Sequence, residues 1–174
     1  NYVTTLARGL FGVSKAYLFR QPDLDTPSLV LPPAREEDGG AALAFELGGA
    51  LGRFLQRQHG AFRIDDVPAG AAAVSELGVL REMGVALGVP LRTPHPFETT
   101  DLKGLLCLGP KLVGTPFTPS ELRFIGLLAD MAAVALRNAH LHRKSIVDDL
   151  TRLYSRGHFD MHLSAEIARS ERYG

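Results

Sequence analysis

The stretch PSELRFIGLLADMAAVALRNAHLHRKSIVDDLTRL, residues 119–153, organises the reading of the whole chain. Leu122, Ile125, Ala129, Ala132, Leu136, Ala139, Ile146, Leu150 and Leu153 follow one another in alternating steps of three and four, once Arg143 is counted in the single missing place. Sustained over roughly four heptads, this is the seam of a helix that pairs with a copy of itself or with another helix. Several seam positions are Ala, so a close-packed pair of modest stability is expected. Before Arg137 a second apolar face is present: Phe124, Leu127, Leu128, Met131 and Val134. A helix apolar on two sides touches two things, here its own domain through the second face and a partner through the seam. After Arg137 the second face turns polar, with Asn138, His140, His142, Lys144, Ser145 and Asp149. The helix is therefore expected to leave its domain there and continue as a stalk, with a sensor domain before it and an output domain after it.

Composition sets the outer bounds. At 45% hydrophobic and 22% charged, the chain has room for one good core. Formal net charge is +0, so nothing points to nucleic acid or to a charged membrane surface. Charges, Pro or Gly interrupt every candidate membrane span, and the N-terminus lacks a basic-then-apolar signal pattern. The single cysteine, Cys107, forms no internal disulfide. Together these predict a cytoplasmic segment; attachment of the parent to a membrane through other segments stays open. The chain opens at Asn1 without Met and stops at Gly174 inside a helical pattern, as expected of a piece of a longer protein.

Val3, Leu6 and Leu10 predict a first helix, weakened by Gly9 and Gly12. Residues 15–20 and 28–31 read as strands joined by a Pro-bounded loop, and the acidic, Gly-rich run 36–40 as a solvated loop. Residues 41–59 read as a helix with Leu43, Leu47, Leu51, Phe54 and Leu55 inward. Gly48 and Gly52 are candidates for close backbone approach, and Gly60 for the cap. A short extended piece over 62–67, a helix over 74–83 and a strand over 84–92 follow. Leu105 to Leu108 is nearly all apolar and predicts a central strand covered on both faces. Thr118 or Ser120 caps the long helix, and Glu121 suits its positive end. Strands grouped around inserted helices predict an α+β fold: an antiparallel sheet with flanking helices.

Two families are resembled. Leu51-Gly52-Arg53-Phe54-Leu55 through Gly60 to Ile64-Asp65-Asp66, then Gly104 to Lys111, Gly114, Phe117-Thr118, Glu121 and the Leu128-to-Ala139 helix, resemble a GAF domain. Asp148-Asp149-Leu150-Thr151-Arg152-Leu153-Tyr154-Ser155-Arg156-Gly157-His158-Phe159 resembles the D-x-L-T-G-L-x-N-R-R-x-F opening of GGDEF domains, the diguanylate cyclase family, departing from it at Arg152, Ser155 and Gly157. The implied organisation is a GAF-like sensor over residues 1–138, a helical linker over 139–147 and the start of a GGDEF domain over 148–174. The family's catalytic carboxylates and metal ligands lie downstream of this pattern. This chain by itself is therefore no cyclase and needs no cofactor, Mg²⁺ being expected only for the cyclase domain. The resemblance implies a parent that joins two GTP molecules into cyclic di-GMP, regulated by a small ligand in the sensor and by homodimerisation through the seam. Asp148, Thr151 and Arg156 form the expected coupling turn, with Asp148 paired to Arg156. Two alternatives stay open: a dimerisation scaffold that senses nothing, and a sensor attached to a degenerate, non-catalytic GGDEF receptor.

GAF domains commonly hold a ligand between the sheet and the middle third of the chain. There this sequence offers Arg53, Asp65, Asp66, Glu76 and Arg81, each weighed against an ordinary solvated charge. The cyclic-nucleotide motif N-K-x(n)-F-x3-D-E is kept at Lys111 and Phe117 but has Pro110, Glu121 and Leu122 at its other places. Cys107 lacks the adjacent His of bilin-attaching relatives and the further cysteines of the methionine sulfoxide reductases of this fold, so a buried core thiol is expected. His140 and His142, two apart on a helix, make a poor metal pair, and His59 and His95 lack partners in sequence; no metal site is expected.

Overall fold

The computed structural model describes residues 2–22, 26–32, 42–67, 74–93 and 101–146, with a few isolated helical positions beyond them. The chain divides into two compact units, Asn1–Leu136 and Arg137–Gly174. The element order is α1 (Tyr2–Phe11), β1 (Ala16–Arg20), β2 (Ser28–Leu31), β3 (Leu43–Glu46), α2 (Ala50–Arg57), β4 (Phe62–Arg63), a 3₁₀ turn (Ile64–Asp66), α3 (Val74–Glu82), β5 (Leu87–Arg92), β6 (Leu102–Leu108) and α4 (Pro119–Ile146). The described strands form one antiparallel six-stranded sheet in the order β3-β2-β1-β6-β5-β4. The fold is α+β, as the sequence predicts.

β6 is central, and all seven of its residues are buried. Alternation along the strand divides it between two cores. Leu105 and Cys107 face the layer built by α2 and α3, with Phe19, Leu51, Leu55, Leu77 and Leu80. Leu106 and Leu108 face the layer of α1 and α4, with Ala7, Phe11, Val89, Ile125, Ala129 and Ala133. A bulge interrupts the alternation: Leu91 pairs with Gly104 but Arg92 with Leu102, leaving Lys103 as the extra residue. That shift returns Leu102 to the α2/α3 side and buries the Lys103 side chain almost completely. Burial pushes the Cys107 thiol far above its ordinary range, the inert core cysteine expected from its strand.

The helix expected over residues 41–59 is corrected. Its first part is the edge strand β3, and α2 starts only after Gly48-Gly49 and ends at Arg57. Leu43 and Leu47 share the apolar spacing of Leu51 and Leu55, so periodicity alone runs the two elements together. The close approach lies at Gly52, where a Cβ would collide with the backbone of Leu47, while at Gly48 a Cβ would meet open space.

The assignment of faces on α4 is corrected too. Ile125 and Ala129 are 0% and 1% exposed against the chain's own sheet, beside Ala133. Leu122, Ala132 and Leu136 pack around them. These five seam positions are therefore occupied from within one chain. Ala139 is exposed, and Ile146 and Leu150 lie outside the residues whose side chains are described. A stripe at i, i+3, i+4, i+7 serves a coiled coil and a sheet-packed helix equally well, and the small alanines let the helix lie close on the sheet. α1 behaves alike: its buried positions are Ala7 and Phe11, while Leu6 and Leu10 are exposed. Pro119–Leu141 is also long and apolar enough, by length and composition, to cross a membrane. This corrects the expectation that no stretch would be, although part of its length packs on the sheet.

Replacing Gly52 by Ala tests the contact at the start of α2. Helix propensity alone favours Ala by about 1 kcal/mol, but the new Cβ meets backbone that cannot step aside. Gly52→Ala is expected to lower the unfolding midpoint in urea, with Gly48→Ala within about 0.5 kcal/mol of the parent.

Candidate functional site

Three of the five residues expected to touch a ligand hold backbone, and a fourth lies beside one of them. The Glu76 carboxylate, on α3, accepts the Leu51 N–H at 2.8 Å in the first turn of α2. Arg53 donates to the Gly48 carbonyl. Arg81 donates to the Ile64 carbonyl at 3.1 Å and lies 3.6 Å from Asp65, whose side chain is 89% exposed. Asp66 is the fifth and lines a cleft.

Arg92 is not among the sequence candidates. Its guanidinium makes a two-pronged contact with the Asp101 carboxylate, Nε to Oδ2 at 2.9 Å and Nη2 to Oδ1 at 2.9 Å. Its Nη1 donates to the carbonyls of Gln56 at 2.8 Å and Gln58 at 2.9 Å. α2 thus receives a carboxylate at its positive end and a guanidinium at its negative end, the favourable sign at both. No local signal marks Arg92, because its partners on α2 are 34 and 36 residues away.

The N-terminus of α4 is closed by a reciprocal cap. Glu121 accepts the Thr118 N–H at 2.7 Å, and the Glu121 N–H reaches the Thr118 hydroxyl at 3.3 Å, the T-x-x-E arrangement. Thr118 is therefore the cap. Lys111 donates to Glu121 at 2.9 Å and lies 5.7 Å from the centre of the Phe117 ring. These contacts, the Thr118 N–H first and the Lys111 ammonium next, hold the Glu121 carboxyl at about 2.

Two open clefts flank β4. One, of about 430 Å³, is lined by apolar Phe54, Phe62, Val67, Leu87 and Leu122 and by polar Gln58, Arg63 and Asp66. The other, of about 260 Å³, lies beside Arg63, Lys111 and Phe117. Between the sheet and helices α2 and α3, by contrast, Phe19, Leu51, Leu55, Leu77, Leu80 and Cys107 form a continuous buried cluster. Among the described residues no three His, Cys, Asp or Glu side chains converge as metal ligands. His140 is buried, His59 is exposed, and His95 lies outside the described residues.

A sequence model of the GAF domain matches residues 2–136. The chain belongs to the GAF family. Solved structures agree on the fold. The second GAF domain of DevS from Mycobacterium smegmatis is 23% identical, with a TM-score of 0.52 over 82% of this chain and 94% of that one. A methyl-accepting chemotaxis protein fragment is 18% identical, with a TM-score of 0.55 over 80% and 87%. A far-red cyanobacteriochrome photoreceptor is 15% identical, with a TM-score of 0.55 over 79% and 83%. No curated protein matches the chain. GAF domains are small-ligand-sensing signalling modules. In this GAF domain Lys111, Phe117 and Glu121, the positions closest to the cyclic-nucleotide motif, fasten the β6–α4 loop to the first turn of α4.

Two substitutions test these contacts. Arg92→Ala strips Asp101 and the end of α2 of their shared donor and is expected to cost about 2–3 kcal/mol in urea unfolding. Glu121 titrates lower when folded, so its contribution is complete above the ordinary value of 4.5 and lost as pH falls toward about 2. Glu121→Gln is therefore expected to lower the melting temperature at pH 7, with the gap to the parent narrowing as pH drops from 4.5 toward 2.

Proposed function

We propose that this GAF domain is the regulatory part of a dimeric signalling protein: it senses a small molecule and passes the result along α4 to an output domain. The observation that carries this reading is the outward face of α4, where Phe124, Leu127, Met131 and Val134 are 46%, 57%, 63% and 51% exposed. Leu6 and Leu10 of α1 are exposed as well, and the rings of Phe11 and Phe124 meet edge-on at 5.9 Å. An apolar strip of this kind, on a helix anchored by its other side, suits a two-fold contact with a second copy. The homodimer expected from the sequence is thereby kept, through the other face of the same helix.

The residues from Asp148 to Phe159 support a GGDEF output domain, and with it a parent that makes cyclic di-GMP from GTP with Mg²⁺. Asp148, Thr151 and Arg156 lie outside the described residues. Such a cyclase needs two catalytic domains facing one another, so the spacing of paired α4 helices is a natural control point. The filled space between the sheet and α2/α3 favours a second reading, a scaffold that dimerises and senses nothing. Melting against purines, cyclic nucleotides, amino acids and 2-oxo acids separates the two, since a sensor is stabilised by what it binds.

Sedimentation at about 50 μM is expected to show a dimer. Leu127→Glu or Met131→Glu should give a folded monomer; a parent chain already monomeric at that concentration would sink the dimer reading. The parent protein is expected to convert GTP to cyclic di-GMP in the presence of Mg²⁺, and its failure to do so removes the cyclase assignment.

A further inference from the structure

Among the described strands β4 is the outer one on its side of the sheet and pairs with β5 alone. Ile64 donates its N–H to the Ala86 carbonyl at 3.1 Å. In an antiparallel ladder hydrogen-bonded and non-hydrogen-bonded pairs alternate. Arg63, opposite Leu87, is therefore in a non-hydrogen-bonded pair, and it caps the 3₁₀ turn that follows. The larger cleft wraps this edge. Its floor is apolar: Phe62, Val67 and Leu87 are buried, and Phe54 stands edge-on to Phe62 at 5.0 Å. Its rim carries Arg63 and Asp66, both exposed. Neither makes an ion pair with the other or with another described residue.

Two charges of opposite sign, neither paired among the described residues, beside an apolar floor complement a zwitterion that carries an apolar group. We propose that this cleft binds a free α-amino acid with a large apolar side chain. Its carboxylate meets the Arg63 guanidinium, its ammonium meets the Asp66 carboxylate, and its side chain lies over Phe54, Phe62 and Leu122. The volume of about 430 Å³ lies within the span of small-molecule sites. A nucleotide fits the charges poorly, because Asp66 shares the rim with Arg63, the one arginine there among the described residues. Leu122 belongs to the first turn of α4 and Phe54 to α2, so the occupant touches the helix that runs out of the domain. Only the step from occupancy to signal rests on the sensor reading above; binding itself does not.

Calorimetry and melting of the chain with L-leucine, L-phenylalanine, glycine, N-acetyl-L-leucine and L-leucinamide test the site. Leucine and phenylalanine are expected to bind and to raise the melting temperature. Glycine and the two blocked forms should each bind about tenfold more weakly or worse. Arg63→Gln should weaken leucine about tenfold and leave leucinamide unchanged, and Asp66→Asn should weaken leucine as much and leave N-acetyl-leucine unchanged. Absence of binding by leucine and phenylalanine, or binding that both variants leave intact, overturns the site. Cyclic di-GMP formation by the parent, with and without leucine, distinguishes the two claims: leucine that binds without altering that output upholds the site and removes leucine as the sensed signal.

Discussion

The arrangement depends on how α4 sits on the sheet. Ile125, Ala129 and Ala133 form a stripe of mostly small residues, fully buried against a layer that includes Leu106, Leu108 and Val89. Alanine brings the helix close to the strands at little cost in side-chain entropy, and once that stripe is buried the rotation of the helix is fixed. The larger side chains, Phe124, Leu127, Met131 and Val134, are then left outside. Burying small residues and exposing large ones reverses the usual pattern of a surface helix, and that reversal makes the outer face informative. α1 repeats it only in part: Ala7 is buried and Leu6 and Leu10 are exposed, but the large Phe11 is buried as well.

The opposite side of the sheet is held differently. α2 has only eight residues, too short to be stable alone in water, and long-range polar contacts fix it at both ends. Glu76 takes its first turn and Arg92, braced by Asp101, takes its last. Gly52 lets the incoming chain fold tightly onto its first turn. Of the charges that on sequence alone suggest a binding pocket, Glu76 thus helps to place one short helix, whereas Asp66 lies with Arg63 on the cleft beside it, neither in an ion pair with a described residue.

Much of the fold is legible in the sequence, and the reasons are specific. β6 declares itself by the apolar run Leu105 to Leu108, though not by its first residues, where Lys103 interrupts the pattern, the α4 cap by Thr118 and Glu121 at their fixed offset, and the GAF likeness by the run from Gly104 to Glu121. β3 is hidden because its apolar residues continue the helical spacing of α2. The two faces of α4 are easily exchanged because periodicity locates apolar stripes without saying which one a sheet will cover; the sizes of the side chains carry that signal. Charges in the right third of the chain make natural ligand candidates, yet charge alone does not separate a helix-end contact from a site. Arg92 is invisible to such a reading, since its role appears only when β5 and α2 come together.

Thiol labelling of single-cysteine probes on α4 is the sharpest test of how that helix is seated. Cys107 is fully buried and adds no background in the native state. At a concentration low enough to keep the chain monomeric, Met131→Cys is expected to react quickly with a maleimide, and Ala133→Cys only as the protein unfolds. Rapid native labelling at 133 with protection at 131 would mean that α4 rests on the sheet by its other face, which contradicts the buried alanine stripe and the exposed apolar strip that follows from it.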